Sequence, residues 1–174
     1  MKALIPLLIL AAASAQASDR IERGRYLVNT SGCADCHTPL KMGANGPEPD
    51  TARHLSGHPQ GFVVSPPATP PAAPWMVQIA QTGTAYAGPW GLSFSANLTP
   101  DPETGLGRWS EADFVQTIRT GRHLGRGRPV LPPMPIPVYN HMTDDDLKAV
   151  FAYLQSLPPV RNRVPDPVPP AAAR

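Results

Sequence analysis

The feature that most restricts this chain is the pentapeptide Cys33-Ala34-Asp35-Cys36-His37, which holds both of its cysteines. Two residues between the thiols, followed at once by a histidine, is the spacing of covalent haem attachment. It sets two sulfurs against the two vinyl-derived carbons on one porphyrin edge, and the next residue turns its imidazole under the iron. A buried porphyrin would also supply apolar bulk that the chain lacks, since aromatics are 6% of residues and prolines number 24. Read from the residues alone, three other uses of the pair stay open. A disulfide suits an exported protein. A thioredoxin-like pair needs a βαβ setting, which is not visible. A zinc site needs four ligands, and His54, His58, His123 and His141 show no paired metal spacing.

The chain opens with Met1-Lys2, an apolar run over residues 3–13, and the small-residue triplets Ala13-Ser14-Ala15 and Ala15-Gln16-Ala17. A positive start, a short apolar stretch and an A-x-A site describe a secretory signal over residues 1–17, cut after Ala15 or Ala17. The expected location is the periplasm. The alternative is a membrane anchor, but the run is well short of the ~20 apolar residues of a bilayer span. Formal net charge is +2, and no basic cluster is interleaved with aromatics, so nucleic acid is not an expected partner.

Residues 18–160 are expected to form one domain, opening with a helix over residues 19–29. Ile21, Gly24, Leu27 and Val28 fall at helical spacing there. Gly24 costs a helix about 1 kcal/mol, which makes sense if another helix crosses closely at that point. Residues 38–98 are rich in proline and glycine and predict a long irregular segment, with a helical island over 75–82. A second helix is expected over 111–122, capped by Ser110 with Asp113 and burying Phe114, Val115 and Ile118. Residues 125–137 are turn-rich. A third helix starts at Thr143, with three aspartates favouring its N-terminal dipole and Leu147, Val150, Phe151 and Leu154 as its buried stripe. Residues 161–174 are rich in Pro and Ala and are expected to be a disordered tail.

One attachment motif implies one haem, and the sixth iron ligand then decides the chemistry. A closed iron favours electron transfer; an open one allows small-molecule binding or activation. Met134 is the leading candidate. It lies between prolines that stiffen its loop, and a soft thioether raises the potential. Met142 could pack as core, while Met42 and Met76 lie in the irregular stretch. His54, His58, His123 and His141 are rival ligands, each otherwise expected as a solvated surface histidine.

With these residues placed, the chain resembles the monohaem class I c-type cytochrome family. The resemblance rests on a helix containing Gly24, then Cys33 to Thr38, Gly46-Pro47, Trp109, Met134 and the closing helix. It implies an all-α, cytochrome c-like fold of three to five helices around one covalently attached haem c, with a long Pro-rich insertion. Cys33, Cys36, His37, Met134, Trp109 and Pro47 are the implied cofactor-binding residues, and His37 and Met134 the iron ligands. Met134 stands nine residues before Thr143, an interval that fits the family. The resemblance also implies that the first and last helices cross, with Gly24 against Phe151, Tyr153 or Leu154. Trp109 would donate its indole N–H to a propionate, and the Pro47 carbonyl would accept from the far nitrogen of His37.

A narrower likeness runs from Asn97 to Gly105, then through Trp109-Ser110, residues 131–135, residues 142–147 and residues 156–160. It is similar to the cytochrome modules that serve periplasmic alcohol, aldehyde and sugar-acid dehydrogenases. Those usually carry three haem motifs, whereas this chain carries one. The expected function is therefore that of a periplasmic electron carrier, not an enzyme, between a dehydrogenase or other donor and an oxidase or cytochrome acceptor. The alternative is a haem-based gas-binding protein or peroxidase with an open or labile sixth position. A Pro-rich interaction module is a third, weaker reading that could coexist with electron transfer.

Overall fold

The computed structural model describes residues 5–66 and 75–170, with side chains from residue 16 onward. Helix α1 spans Ile5–Thr30, far beyond the expected 19–29. The Ala- and Leu-rich run before it is itself strongly helix-forming, and Pro6 sits in the first turn, where no backbone N–H is missed. The positively charged start of the expected signal lies outside the described residues. The chain then passes through Gly32 into the short helix α2 (Cys33–His37).

Three more helices follow: α3 (Glu111–Thr120), α4 (Ile136–Tyr139) and α5 (Asp144–Ser156). The helix ends form as their side chains require. Ser110 accepts from Asp113 N–H, and the Asp113 carboxylate reaches back to Ser110 N–H. Thr143 accepts from Asp146 N–H. Helices α1, α3 and α5 enclose the main core of Leu27, Val28, Phe114, Val115, Ile118, Leu147, Val150, Phe151 and Leu154, joined by Leu55 and Leu106 from the connecting loops. Gly24 makes the α1–α5 crossing possible. A Cβ there would sit 1.9 Å from the Ala149 carbonyl oxygen and 2.8 Å from Tyr153 Cβ.

The all-α expectation holds for this core and fails for the insertion. Strands β1 (Leu40–Gly43) and β2 (Gly46–Pro49) make an antiparallel hairpin. Strands β3 (Gln78–Ile79), β4 (Ala85–Gly88) and β5 (Gly91–Phe94) make a three-stranded antiparallel sheet. Tight hairpins return each chain segment on itself, so the backbone groups pair locally and no long run of helix is needed to satisfy them. The expected helical island at 75–82 is strand and turn instead, with Gly83 N–H bonding to the Ala80 carbonyl. The proline run at 67–74 lies outside the described residues.

The expected disordered tail is also corrected as far as residue 170. Leu92 and Val168 exchange backbone hydrogen bonds of 2.8 and 2.9 Å, which adds the tail to the free edge of β5. Asn162 is buried and bonds the carbonyls of Ser56 and His58. Proline removes donors, so this segment docks through the few residues that still carry them.

Candidate functional site

The site is built on α2 and the two loops that press on it. Gly32 enters α2 with φ 73, which starts the helix sharply at Cys33. Cys33 and Cys36 are not bonded to each other, and both are half-buried. Burial pushes the Cys33 thiol up. That is opposite to the lowered pKa of a reactive thiol.

His37 is buried, and its Nδ1 lies 2.8 Å from the Ala96 carbonyl oxygen. A carbonyl only accepts, so Nδ1 carries the proton and Nε2 keeps its lone pair. Burial lowers the His37 pKa and the Ala96 carbonyl partly opposes that, leaving a neutral imidazole at physiological pH. Nε2 has no hydrogen-bond partner among the described residues, so its lone pair is the one left for a metal.

The acceptor expected for His37 was Pro47, and the structure places Ala96 there instead. The β1–β2 hairpin carries Pro47 to the surface, opposite Met42. Ala96 reaches His37 because Gly57 lies between them. Gly57 has φ +77, donates its N–H to the His37 carbonyl, and would bring a Cβ within 2.6 Å of the Ala96 oxygen.

Met134 is half-buried and packs on the same core as Cys33 and Ala34. Helix α2 and the Met134 loop thus both pack against that core. The loop is held at both ends. Ser93 on β5 donates to the Pro132 carbonyl at 2.6 Å, and Ile136 N–H bonds the Met134 carbonyl at 2.9 Å as α4 begins. Met142 also packs against the core, while Met42 and Met76 are exposed. Trp109 packs on the core with its ring edge-on to His123 at 5.0 Å. Its indole nitrogen has no hydrogen-bond partner among the described residues, whereas that of Trp90 donates to Ser93 Oγ at 3.1 Å.

The rival histidines are placed differently from one another. His58 is fully buried, contrary to the solvated position expected of it. Its Nδ1 lies 3.0 Å from Thr84 Oγ1 and its Nε2 2.8 Å from the Phe62 carbonyl, so both nitrogens are taken. His54 is half-buried with its Nδ1 3.3 Å from Thr38 Oγ1. His123 and His141 are exposed.

Sequence reasoning missed two tyrosines beside the cysteines. Tyr139 donates to the Ser31 carbonyl at 2.7 Å, and its hydroxyl is pushed up to about 12 by burial and by Cys33 and Cys36. Tyr86 donates to the Gly83 carbonyl and is likewise pushed up, by burial first and by Cys36 next. Both phenols stay neutral, with their hydroxyls close to the thiols. Neither position carries a spacing signal in the sequence.

This donor set suits haem c. Two unpaired thiols stand on one short helix, and the following imidazole has its proton fixed on the far nitrogen. No cluster of three or more His, Cys, Asp or Glu side chains occurs among the described residues, so the set does not suit a protein-caged metal ion.

Residues 21–158 match the family model of cytochrome c. The chain is 33% identical over 146 residues to a component of the nicotinate dehydrogenase of Pseudomonas putida, covering 83% of this chain and 9% of that protein. It is 31% identical over 160 residues to the cytochrome c subunit of a quinone-dependent alcohol dehydrogenase of Gluconobacter oxydans, covering 89% and 26%. A third relative is the cytochrome c subunit of gluconate 2-dehydrogenase of Pantoea cypripedii, 30% identical over 159 residues, covering 88% and 28%. The chain thus spans less than a third of the length of each of these relatives.

Proposed function

The chain belongs to the cytochrome c family, and from that premise we propose that it is a monohaem electron carrier of the periplasm. It passes single electrons from a dehydrogenase or another donor to a respiratory acceptor. Haem c supplies the one-electron iron couple. Cys33 and Cys36 anchor it covalently, His37 Nε2 and Met134 Sδ hold the iron, and Trp109 offers a hydrogen bond to a propionate. The protein itself transforms no substrate.

The observation that carries this reading is the His37–Ala96 hydrogen bond of 2.8 Å. It fixes the tautomer, aims the ring and raises the basicity of the nitrogen left free, as partners of metal-bound histidines generally do. Met134 adds a soft ligand on a loop stiffened by prolines on both sides and tied to β5 through Ser93. Relatives that are cytochrome subunits of dehydrogenases support a dehydrogenase as the donor. Export rests on the first residues of the sequence. Among the described residues no helix is long and apolar enough to cross a membrane.

The test is to express the full chain with a haem maturation system and record optical spectra in both oxidation states. Haem should remain attached after denaturation. The ferric spectrum should carry the weak near-infrared band of methionine-to-iron coordination, and Met134→Ala should lose it. A covalent haem without that band in the wild type would point to another histidine or an open site, and the gas-binding or peroxidase reading would move ahead. Absence of covalent haem under competent maturation would sink the proposal.

A further inference from the structure

The C-terminal strap is more than a loose end, because its one buried polar side chain sits behind the loop that supports His37. Asn162 Nδ2 donates to the carbonyls of Ser56 at 2.7 Å and His58 at 2.9 Å, and its Oδ1 accepts from Gln60 N–H at 2.8 Å. Those bonds clamp the loop on either side of Gly57. Gly57 N–H holds the His37 carbonyl at 2.8 Å, and His58 N–H holds the Ser95 carbonyl at 2.9 Å, one residue before Ala96.

The other side of Ala96 is held from the same strap. Asn97 is buried, and its Nδ2 donates to the Val160 carbonyl at 2.8 Å. Its Oδ1 accepts from the Thr99 N–H at 3.0 Å and the Thr99 hydroxyl at 2.8 Å. Val160 N–H returns to Thr99 Oγ1 at 3.0 Å. The Ala96–Asn97 peptide is therefore gripped on both flanks by residues 160–162. Its carbonyl is the acceptor for His37 Nδ1.

We infer that Asn162 and Asn97 are positioning residues for the axial histidine, and that the strap tunes the iron by holding the Ala96 carbonyl under the imidazole. The inference rests on the haem-carrier reading above. A firm hydrogen bond at Nδ1 makes Nε2 a stronger donor, which favours the ferric iron and lowers the potential. Loosening the clamp weakens that bond and raises the potential.

The experiment is a spectroelectrochemical titration of the haem-loaded protein and three variants. Asn162→Ala and the milder Asn162→Ser should shift the ferric-to-ferrous ratio toward ferrous at fixed ambient potential. The expected shift is about tenfold for alanine, or about 59 mV for a one-electron couple, and less for serine. A chain ending at Asp166 loses the Val168–Leu92 pairing and keeps Asn162. It should lose stability with no change in potential. The inference is overturned if the asparagine variants leave the potential unchanged, or if the truncation shifts it equally. Covalent haem and the near-infrared band in the wild type report separately on the carrier reading, so the two failures are distinguishable.

Wild-type protein supplies an answer that does not depend on the variants folding. In the ferrous protein the His37 Nδ1 proton should be protected from solvent exchange by the same factor, relative to its own free rate, as the Asn97 and Asn162 side-chain amides. One opening should release all three. Fast exchange of the ring proton while both amides stay protected would show that the strap does not hold it.

Discussion

Gly24 is where a single hydrogen atom decides whether two helices meet. The clash a methyl group would make there is with the Ala149 backbone, which cannot swing aside as a side-chain tip could. Gly24→Ala should therefore destabilise the protein by about 1–3 kcal/mol, the usual cost of overpacking, despite alanine's better helix propensity. Urea unfolding measures this, and an unchanged midpoint would refute the close crossing. His58 supports a second expectation at this scale. Burial holds its folded-state pKa below the ordinary 6.5, so below pH 6.5 the unfolded chain takes up the proton first. Its contribution to stability is complete above that pH and is lost as the pH falls, with a slope of at most about 1.4 kcal/mol per pH unit for one proton. His58→Gln should flatten the acid limb of stability against pH; an identical slope would place the titration elsewhere.

Helices α3 and α5 each begin at a hydroxyl that accepts from a backbone N–H three residues on. Ser110→Ala and Thr143→Ala should each cost about 1 kcal/mol by the same unfolding assay, and a loss near zero would show the cap to be idle. These helices were legible because their signals are local: a cap residue, an acidic first turn and an apolar stripe at helical spacing. The strands were not, because a four-residue strand such as Ala85–Gly88 is defined by partners rather than by its own composition. The Cys33-Cys36-His37 motif could be read from three residues at fixed spacing. The acceptor for His37 could not, since a backbone carbonyl carries no residue signature, and Ala96 reaches it only because Gly57 allows the close approach. In the tail, abundant proline suggested disorder, whereas a few residues, Val160, Asn162 and Val168, supply the polar contacts that dock the segment.

The molecule has a helical half around the main core and a smaller half around Ala85, Ala87 and Leu92. The site lies along their junction. His37 leans on Ala96, just past β5, while the Met134 loop packs on the helical core and is tied to β5 through Ser93. Ligation by both residues would join elements that the chain connects only through long loops, so the oxidation state of the iron should be felt in global stability. In the unfolded chain His37 would stay beside its cysteines, whereas Met134, remote in sequence, would give way to water or another base. The soft thioether would then favour ferrous iron only in the folded protein. With Met134 on the iron, the thermodynamic cycle makes the ferrous protein the more stable form, by about 1.4 kcal/mol for each ~59 mV that folding raises the potential. Denaturant titrations of the two oxidation states should therefore have separate midpoints, with the ferrous one higher. Met134→Ala should draw them together by removing the ligand that distinguishes folded from unfolded iron. Coincident midpoints in the wild type would mean that Met134 does not hold the iron, whatever the loop around it suggests.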